Sequence, residues 1–388
     1  MIDIAPHPEE LAIVVVGYNK LRGLTRLLNS LNEAYYEIDN VPLVISIDAS
    51  GNEEVYNCAR YFEWKHGEKY VNIESNRLGL KKHISQCAGM SRFFKGVIIL
   101  EDDLFVSPDF YHYSNCCLDY YGDDEKTAGI ALFSAENNGF VGIPFQPVQS
   151  GYDVYACQAV CSWGEIWNWR MWNSFSEWMK KWNEDYTAID MPSEIKGWTR
   201  AWSKYYYAYM ISTGRFFIYP YHALTTNFND AGGEHGGGDA SIVQVSLLQG
   251  RYDYRFAPLE ELVKYDVYTH NMDIEKWLGI EQQLTVDFYG QRGAYNTRYV
   301  LAPFKLPFNI IKGYALSMRP WELNVKYNIE GSDFFLYDRS EMFLTIPPKR
   351  TYSMRYAQYF LRSMPPKMLL KYALSNYWNR FMQKLRLK

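Results

Sequence analysis

The sequence predicts an α/β protein built on an open, mostly parallel sheet flanked by helices, with a mixed α+β extension at the carboxyl end. Three observations carry this reading. Short β-branched apolar runs recur four times in the first hundred residues, apolar stripes at helical spacing separate them, and three of the runs stop in small or polar groups. Leu11 to Val16 is a continuous apolar run halted by Gly17, the pattern of a strand buried on both faces. Leu21, Leu24, Leu27, Leu28 and Leu31 then follow the period of a helix. Val41 to Ile47 predicts a second strand, ending in Asp48-Ala49-Ser50-Gly51, and Val55, Cys58, Ala59 and Phe62 mark a second helix. Tyr70 to Ile73 predicts a short third strand and Leu80, Ile84, Cys87 and Ala88 a third helix. Val97 to Leu100 predicts a fourth strand, running into Glu101-Asp102-Asp103.

Composition narrows the function. A chain of 388 residues suggests two or three folding units, and 48 % apolar side chains are enough to fill a substantial core. The net charge of −4 argues against a general nucleic-acid binder. The six cysteines all lie within the first 161 residues without a repeated pair spacing, so they read as reduced, mostly buried thiols of a cytosolic protein rather than a disulfide framework or a zinc site. No apolar run approaches the roughly 18–20 residues of a membrane span, and the acidic, proline-broken start reads as neither signal peptide nor anchor. The expected location is the cytoplasm, in solution or peripheral to a membrane.

Open α/β sheets bind ligands outside the carboxyl ends of their strands. Three such ends carry polar or small groups here: Gly17-Tyr18-Asn19, Asp48-Ala49-Ser50 and Glu101-Asp102-Asp103. No G-x-G-x-x-G follows the first strand and no Walker A sequence occurs, which disfavours a dinucleotide or P-loop site. The acidic triplet reads either as a solvated turn or as a cation site. Adjacent carboxylates repel unless something compensates them, and Mg²⁺ does so with one or two carboxylates, water and phosphate oxygens. A cation on a diphosphate also neutralises charge developing on it as a leaving group.

The opening Ile13-Val14-Val15-Val16-Gly17-Tyr18-Asn19, the strand-ending Asp48 and the stretch Ile-Leu-Glu-Asp-Asp-Leu-Phe-Val-Ser-Pro-Asp-Phe over 99–110 together resemble the nucleotide-sugar domain of GT-A fold glycosyltransferases. The likeness is to the N-acetylglucosaminyltransferase I type and its bacterial family 2-like relatives. It continues through Ser162-Trp163-Gly164-Glu165-Ile166-Trp167, Trp198-x-x-x-Trp202 and Asn227-Phe228-Asn229-Asp230-Ala231-Gly232-Gly233-Glu234-His235, covering roughly residues 11–240. The resemblance implies a GT-A, Rossmann-like fold. It also implies a UDP-sugar donor with Mn²⁺ or Mg²⁺ bound by Asp103. Asp102 and Glu101 would contact the ribose or the metal's waters, Asp48 would accept from the uracil N3–H, and Tyr18 and Asn19 would border the base. Arg77 and His83 read as donors to the diphosphate or sugar, or as an ordinary surface arginine and helix-face histidine.

Eight of the twelve tryptophans fall between Trp163 and Trp202. Trp163, Trp167 and Trp178, with Met171 and Phe175, recur at helical intervals and read mostly as core, with Trp163 the ring best placed to wall a sugar. Five glycines in the nine residues from Ala231 to Asp239 read as a loop able to close over bound donor, or as a plain surface loop. His235 in that loop would ligate the metal or contact the diphosphate. Inverting relatives carry an aspartate as general base just after the first tryptophan of the W-x-x-x-W element, where this chain has Thr199. Asp230 or Glu234 would then serve, with Asp230 favoured; a retaining reaction or an inactive copy are the alternatives.

The expected organisation is a catalytic domain over 1–250, an acceptor-side region over 251–345 and a basic amphipathic helical segment over 346–388. Leu284 to Tyr289 and Tyr299 to Ala302 look strand-like without revealing an acceptor. After Glu341 no acidic residue occurs and ten basic ones do, leaving −14 for the remainder. From Pro366, the residues Leu370, Leu374, Tyr377, Trp378, Phe381 and Leu385 form an apolar stripe edged by cations, suited to an anionic membrane surface or to docking on the catalytic domain. The expected function is metal-dependent transfer of a hexosyl or N-acetylhexosaminyl group from a nucleotide-sugar to a saccharide or lipid-linked saccharide in polysaccharide biosynthesis. A sugar-nucleotide nucleotidyltransferase and an inactive saccharide-binding homologue are the competing readings.

Overall fold

The computed structural model describes residues 5–199, 201–228, 230, 243–342, 359–361 and 363–386. The chain forms two units, Met1–Asp273 and Ile274–Lys388. The first opens with β1 (His7–Gly17), α1 (Leu21–Asn32), β2 (Leu43–Ile47), α2 (Glu53–Tyr61), β3 (Lys69–Ile73), α3 (Leu80–Ala88) and β4 (Phe94–Glu101). It continues with β5 (Leu104–Val106), α4 (Phe110–Tyr121), β6 (Thr127–Ala131), β7 (Asn137–Asn138), β8 (Ile143–Pro144), β9 (Val154–Cys157) and β10 (Glu165–Trp167). Then come α5 (Trp169–Lys181), α6 (Ser193–Gly197), α7 (Ser203–Thr213), β11 (Phe216–Pro220), β12 (Thr225–Asn227) and β13 (Lys264–Tyr265).

Among the described residues a nine-stranded sheet runs in the order β13-β9-β11-β6-β10-β4-β1-β2-β3. β1 lies between β2 and β4, parallel to both, and β2 pairs in parallel with β3. Every β1 side chain from Leu11 to Val16 is buried, as its unbroken apolar run requires. The register sets Val16 opposite Glu101 and Gly17 opposite Ile47, so the first, second and fourth strands end level with one another. The four sequence-predicted strands and the three helices between them are therefore all present. Beyond β4 the sheet becomes mixed, because β10 runs antiparallel to both β4 and β6.

The aromatic block differs from its predicted periodicity. Trp167 is on β10 and Trp163 lies in the loop before it, so only Met171, Phe175 and Trp178 share the helix α5. The helix begins after Trp167 because Asn168 caps it, its side chain accepting from the Met171 N–H at 3.0 Å. A spacing of four cannot distinguish a strand end plus a helix start from one continuous helix. Burial separates the rings: Trp167, Trp172 and Trp202 are core, whereas Trp169 is exposed. Trp167 packs against Trp172, Trp202, Tyr206 and Phe217, with centroids 5.2–6.2 Å apart. All six cysteines are free thiols, and four of them are buried.

The second unit contains α8 (Ile274–Leu278), β14 (Leu284–Val286), β15 (Tyr299–Ala302), β16 (Phe308–Tyr314), α9 (Leu323–Lys326), β17 (Phe334–Met342) and the helix Pro366–Arg386. Its four strands form a separate sheet in the order β14-β15-β17-β16. β14 and β15 coincide with the two strand-like patches of the sequence and pair in parallel.

Trp167→Ala empties the centre of the aromatic cluster. The expected loss is about 3–5 kcal/mol of unfolding free energy, read as a lowered denaturant midpoint with the transition still cooperative.

Candidate functional site

The acidic triplet sits where β4 leaves the sheet, and α1 packs directly on it. A Cβ at Gly23 would lie 2.2 Å from the Asp102 carbonyl oxygen and 3.3 Å from a carboxylate oxygen of Asp230, so only glycine permits that approach. Asp102 is buried, and its Oδ2 accepts the Tyr18 backbone N–H at 3.1 Å. Burial pushes the Asp102 carboxyl up to about 6, against the opposing pull of Lys20 and the Tyr18 N–H. Lys20, at the start of α1, donates to Asp103 Oδ2 at 2.9 Å and stands 3.8 Å from Asp102 Oδ1. Asn227 Nδ2 donates to the other Asp103 oxygen at 3.1 Å. The strand β12 carries Asn227 there by pairing antiparallel with β5. Burial lowers the Lys20 pKa, but Asp103, Asp102 and Glu101 together outweigh it and the net shift is upward.

The neighbouring strand end has a different character. Asp48 is buried, and its carboxylate accepts the N–H groups of Ala49, Leu78 and Gly79 at 2.8–2.9 Å. It thereby clamps the segment before α3 onto the end of β2. An ionised carboxylate has about four lone-pair sites, so one acceptor position is left beyond these three. Tyr18 is exposed beside it with the Arg77 guanidinium 4.9 Å from its ring centroid. Asn19 accepts from the Asn52 side-chain amide at 2.7 Å. Tyr18, Asn19, Asp48, Arg77, Asp102 and Asp103 thus converge on one edge of the sheet.

Other sequence-predicted residues lie differently. His83 points into the core, 2 % exposed, with Nε2 2.8 Å from Ser46 Oγ, and burial pulls its pKa down, with Asp48 and Glu74 opposing. The structure does not bring it to the edge, because α3 turns that face onto the sheet. Asp230 lies beside α1 in a two-pronged ion pair with Arg26, whose guanidinium also stacks 3.6 Å from the Phe228 ring centroid. Trp163 is half-buried against Phe133, its carbonyl accepting from Thr225 of β12, and Thr199 is exposed. Glu101 ends β4 opposite Val16. Glu234, His235 and the glycine-rich stretch lie outside the described residues.

Lys20, Asn227, Arg26 and Glu165 stand at this edge or in the strand beside it, and sequence reasoning did not single them out. Lys20 had a readable cue, a cation three residues past the first strand. Glu165 had another, an acid inside an otherwise apolar Ile-Trp strand. Glu165 is 1 % exposed, and neither carboxyl oxygen has a hydrogen-bond partner among the described residues. Desolvation, with Glu101 adding repulsion, raises its pKa well above the usual range.

No group of three or more His, Cys, Asp or Glu among the described residues is arranged to hold a metal ion. Each Asp103 oxygen has one partner, an ammonium on one and an amide on the other.

No family model matches the chain, and no curated protein matches it. Solved structures do show similarity. S. aureus TarS 1–349 in complex with UDP-GlcNAc is 13 % identical with a TM-score of 0.41, over 59 % of this chain and 61 % of that one. The mannosyltransferase PcManGT from Pyrobaculum calidifontis, in complex with GDP-Man and Mn²⁺, is 14 % identical with a TM-score of 0.36, over 56 % and 57 %. GalNAc-T7 with UDP, GalNAc and Mn²⁺ is 13 % identical with a TM-score of 0.38, over 55 % and 42 %. In each case the match spans less than two thirds of the other chain.

Because the folded pKa of Glu165 lies above its unfolded value of 4.5, folding takes up a proton between the two values. Its contribution to stability is complete below the unfolded value and declines as pH rises towards the folded one. Glu165→Gln removes that decline. Melting temperatures followed from about pH 5 to pH 8 should fall less steeply for the variant than for the wild type; parallel curves would contradict the raised pKa.

Proposed function

We propose that this chain transfers a sugar from a nucleotide-diphosphate donor, a UDP-sugar, to a saccharide or lipid-linked saccharide acceptor. The observation that carries this is the convergence of three strand ends on one edge. An aromatic and hydrogen-bonding mouth (Tyr18, Asn19, Arg77) lies beside the clamped Asp48, next to the charged cluster of Lys20, Asp102 and Asp103. A nucleoside needs the first part and a diphosphate the second, and the level strand ends give them adjacent floors. In the transfer, the acceptor oxygen forms a bond to the anomeric carbon as the bond to the β-phosphate oxygen breaks, and that oxygen keeps the electron pair. The acceptor proton passes to a base. Asp230 is the candidate, and its ion pair with Arg26 has to open or be shared for it to act. A Mn²⁺ or Mg²⁺ ion expected at Asp103 would have to displace the Lys20 ammonium.

A donor screen across UDP-, GDP- and CMP-sugars, measuring nucleotide release, tests the reading. The expected result is UDP release that falls about 100-fold in Asp103→Asn, by analogy with loss of one preorganised charge-stabilising group, with a cooperative melting transition retained. Pyrophosphate release instead would mark a nucleotidyltransferase, and saccharide binding without nucleotide affinity would mark a non-enzymatic homologue.

We further propose that the helix Pro366–Arg386 rests on an anionic membrane surface. Leu370, Leu374, Tyr377, Trp378 and Phe381 share one face and are each at least half exposed. Lys367 and Lys371 flank them, and a nearby cation contributes about 1 kcal/mol on such a surface. Among the described residues no helix is long and apolar enough to cross a membrane. The full chain should co-sediment with phosphatidylcholine vesicles only when phosphatidylglycerol is included, and Leu374→Asp with Trp378→Asp should abolish this. A dimer in solution that dissociates in the same double variant would mean instead that a second copy covers the face.

A further inference from the structure

We propose that the Lys20 ammonium, rather than a resident divalent cation, is the positive charge that holds the donor diphosphate and receives it as a leaving group. The inference rests on the nucleotide-sugar reading above and specifies its charge chemistry. The sequence implies a metal at Asp103, yet the group in contact with that carboxylate is a lysine. Its Nζ is 2.9 Å from Asp103 Oδ2, and Asn227 binds Oδ1 at 3.1 Å. An ammonium has three N–H donors. One is committed to Asp103, and Asp102 at 3.8 Å lies beyond hydrogen-bond range, so among the described residues two directions are open to phosphate oxygens.

The position is built rather than incidental. Lys20 is the residue before α1, its side chain is 19 % exposed, and it is reached from β1 through the Tyr18 N–H that anchors Asp102. Gly23 lets the same helix rest on the Asp102 carbonyl, fixing the distance from helix to triplet. Asp103 therefore acts as a positioning residue for Lys20. A dication on Asp103 would meet an ammonium already there, and like charges at that separation repel.

When the glycosidic bond breaks, its electron pair stays on the β-phosphate oxygen and the departing nucleoside diphosphate gains negative charge. Lys20 meets that charge by hydrogen bonding without transferring its proton, so no further co-reactant is needed.

Calorimetry on the full chain tests this, using UDP and uridine as probes, in EDTA and in MnCl₂, with wild type, Lys20→Met and Lys20→Arg. UDP should bind the wild type in EDTA with an affinity within about 3-fold of that in Mn²⁺. Lys20→Met should weaken UDP in EDTA by at least about 10-fold, the scale of one lost charged hydrogen bond, and leave uridine unchanged. Lys20→Arg should restore most of the loss. A general structural defect would weaken both ligands and lower the melting temperature. UDP binding that requires Mn²⁺ in the wild type would overturn the proposal while leaving the nucleotide reading intact. Uridine and UDP both failing to bind under either condition would overturn the nucleotide reading itself.

Discussion

Three acidic side chains at the end of an otherwise buried strand have to be compensated, and the local architecture of the first unit follows from how that is done. Two carboxylates about 5 Å apart repel by roughly 3 kcal/mol at an effective dielectric of 20, and burial makes each one costlier still. The chain answers with an ammonium from Lys20, a backbone N–H from Tyr18 and an amide from Asn227. Those donors come from the turn after β1 and from the strand β12. The turn, the helix α1 that follows it and β12 are therefore tied to the triplet by the same charges. Gly23 is the steric counterpart, since any side chain there would push α1 away from the residues its first turn neutralises.

The sheet was legible in the sequence because a parallel strand buried on both faces must be apolar at every position. Leu11 to Val16 meets that demand, and its β-branched side chains and the closing Gly17 favour a strand over a buried helix. The candidate edge was partly legible for a related reason: polar groups at the tip of a buried strand are conspicuous. What could not be read was pairing across the chain. Arg26 meets Asp230 across 204 positions and Lys20 meets Asp103 across 83, and no local pattern records either contact. His83 was illegible in another way. A histidine on a helix face looks the same whether that face turns outward or, as here, onto Ser46.

The aromatic block illustrates a third limit. When eight tryptophans crowd into forty residues, almost any period can be found among them. Capping by Asn168 decides the matter, because it starts a helix that the ring spacing alone would have begun earlier. The resulting break leaves Glu165 on a strand, one residue from the buried Ile166 and two from Trp167, paired opposite Ile99 of β4. Burial there, with Glu101 adding repulsion, favours the protonated form of its carboxyl.

Substituting a lysine for a divalent ion changes the charge balance less than the formal charges indicate. The ammonium contributes +1, and the amino end of a helix carries a partial charge of about +0.5. Lys20 immediately precedes α1, whose amino end has no side-chain cap, so both contributions face the same edge. Together they approach the +2 of a metal ion while being covalently fixed to the sheet. A tethered charge needs no free ion and pays no binding entropy, but it cannot adapt its coordination to the leaving group. The precision lost there has to come from the carboxylate that aims it, which gives Asp103 a role in either chemistry.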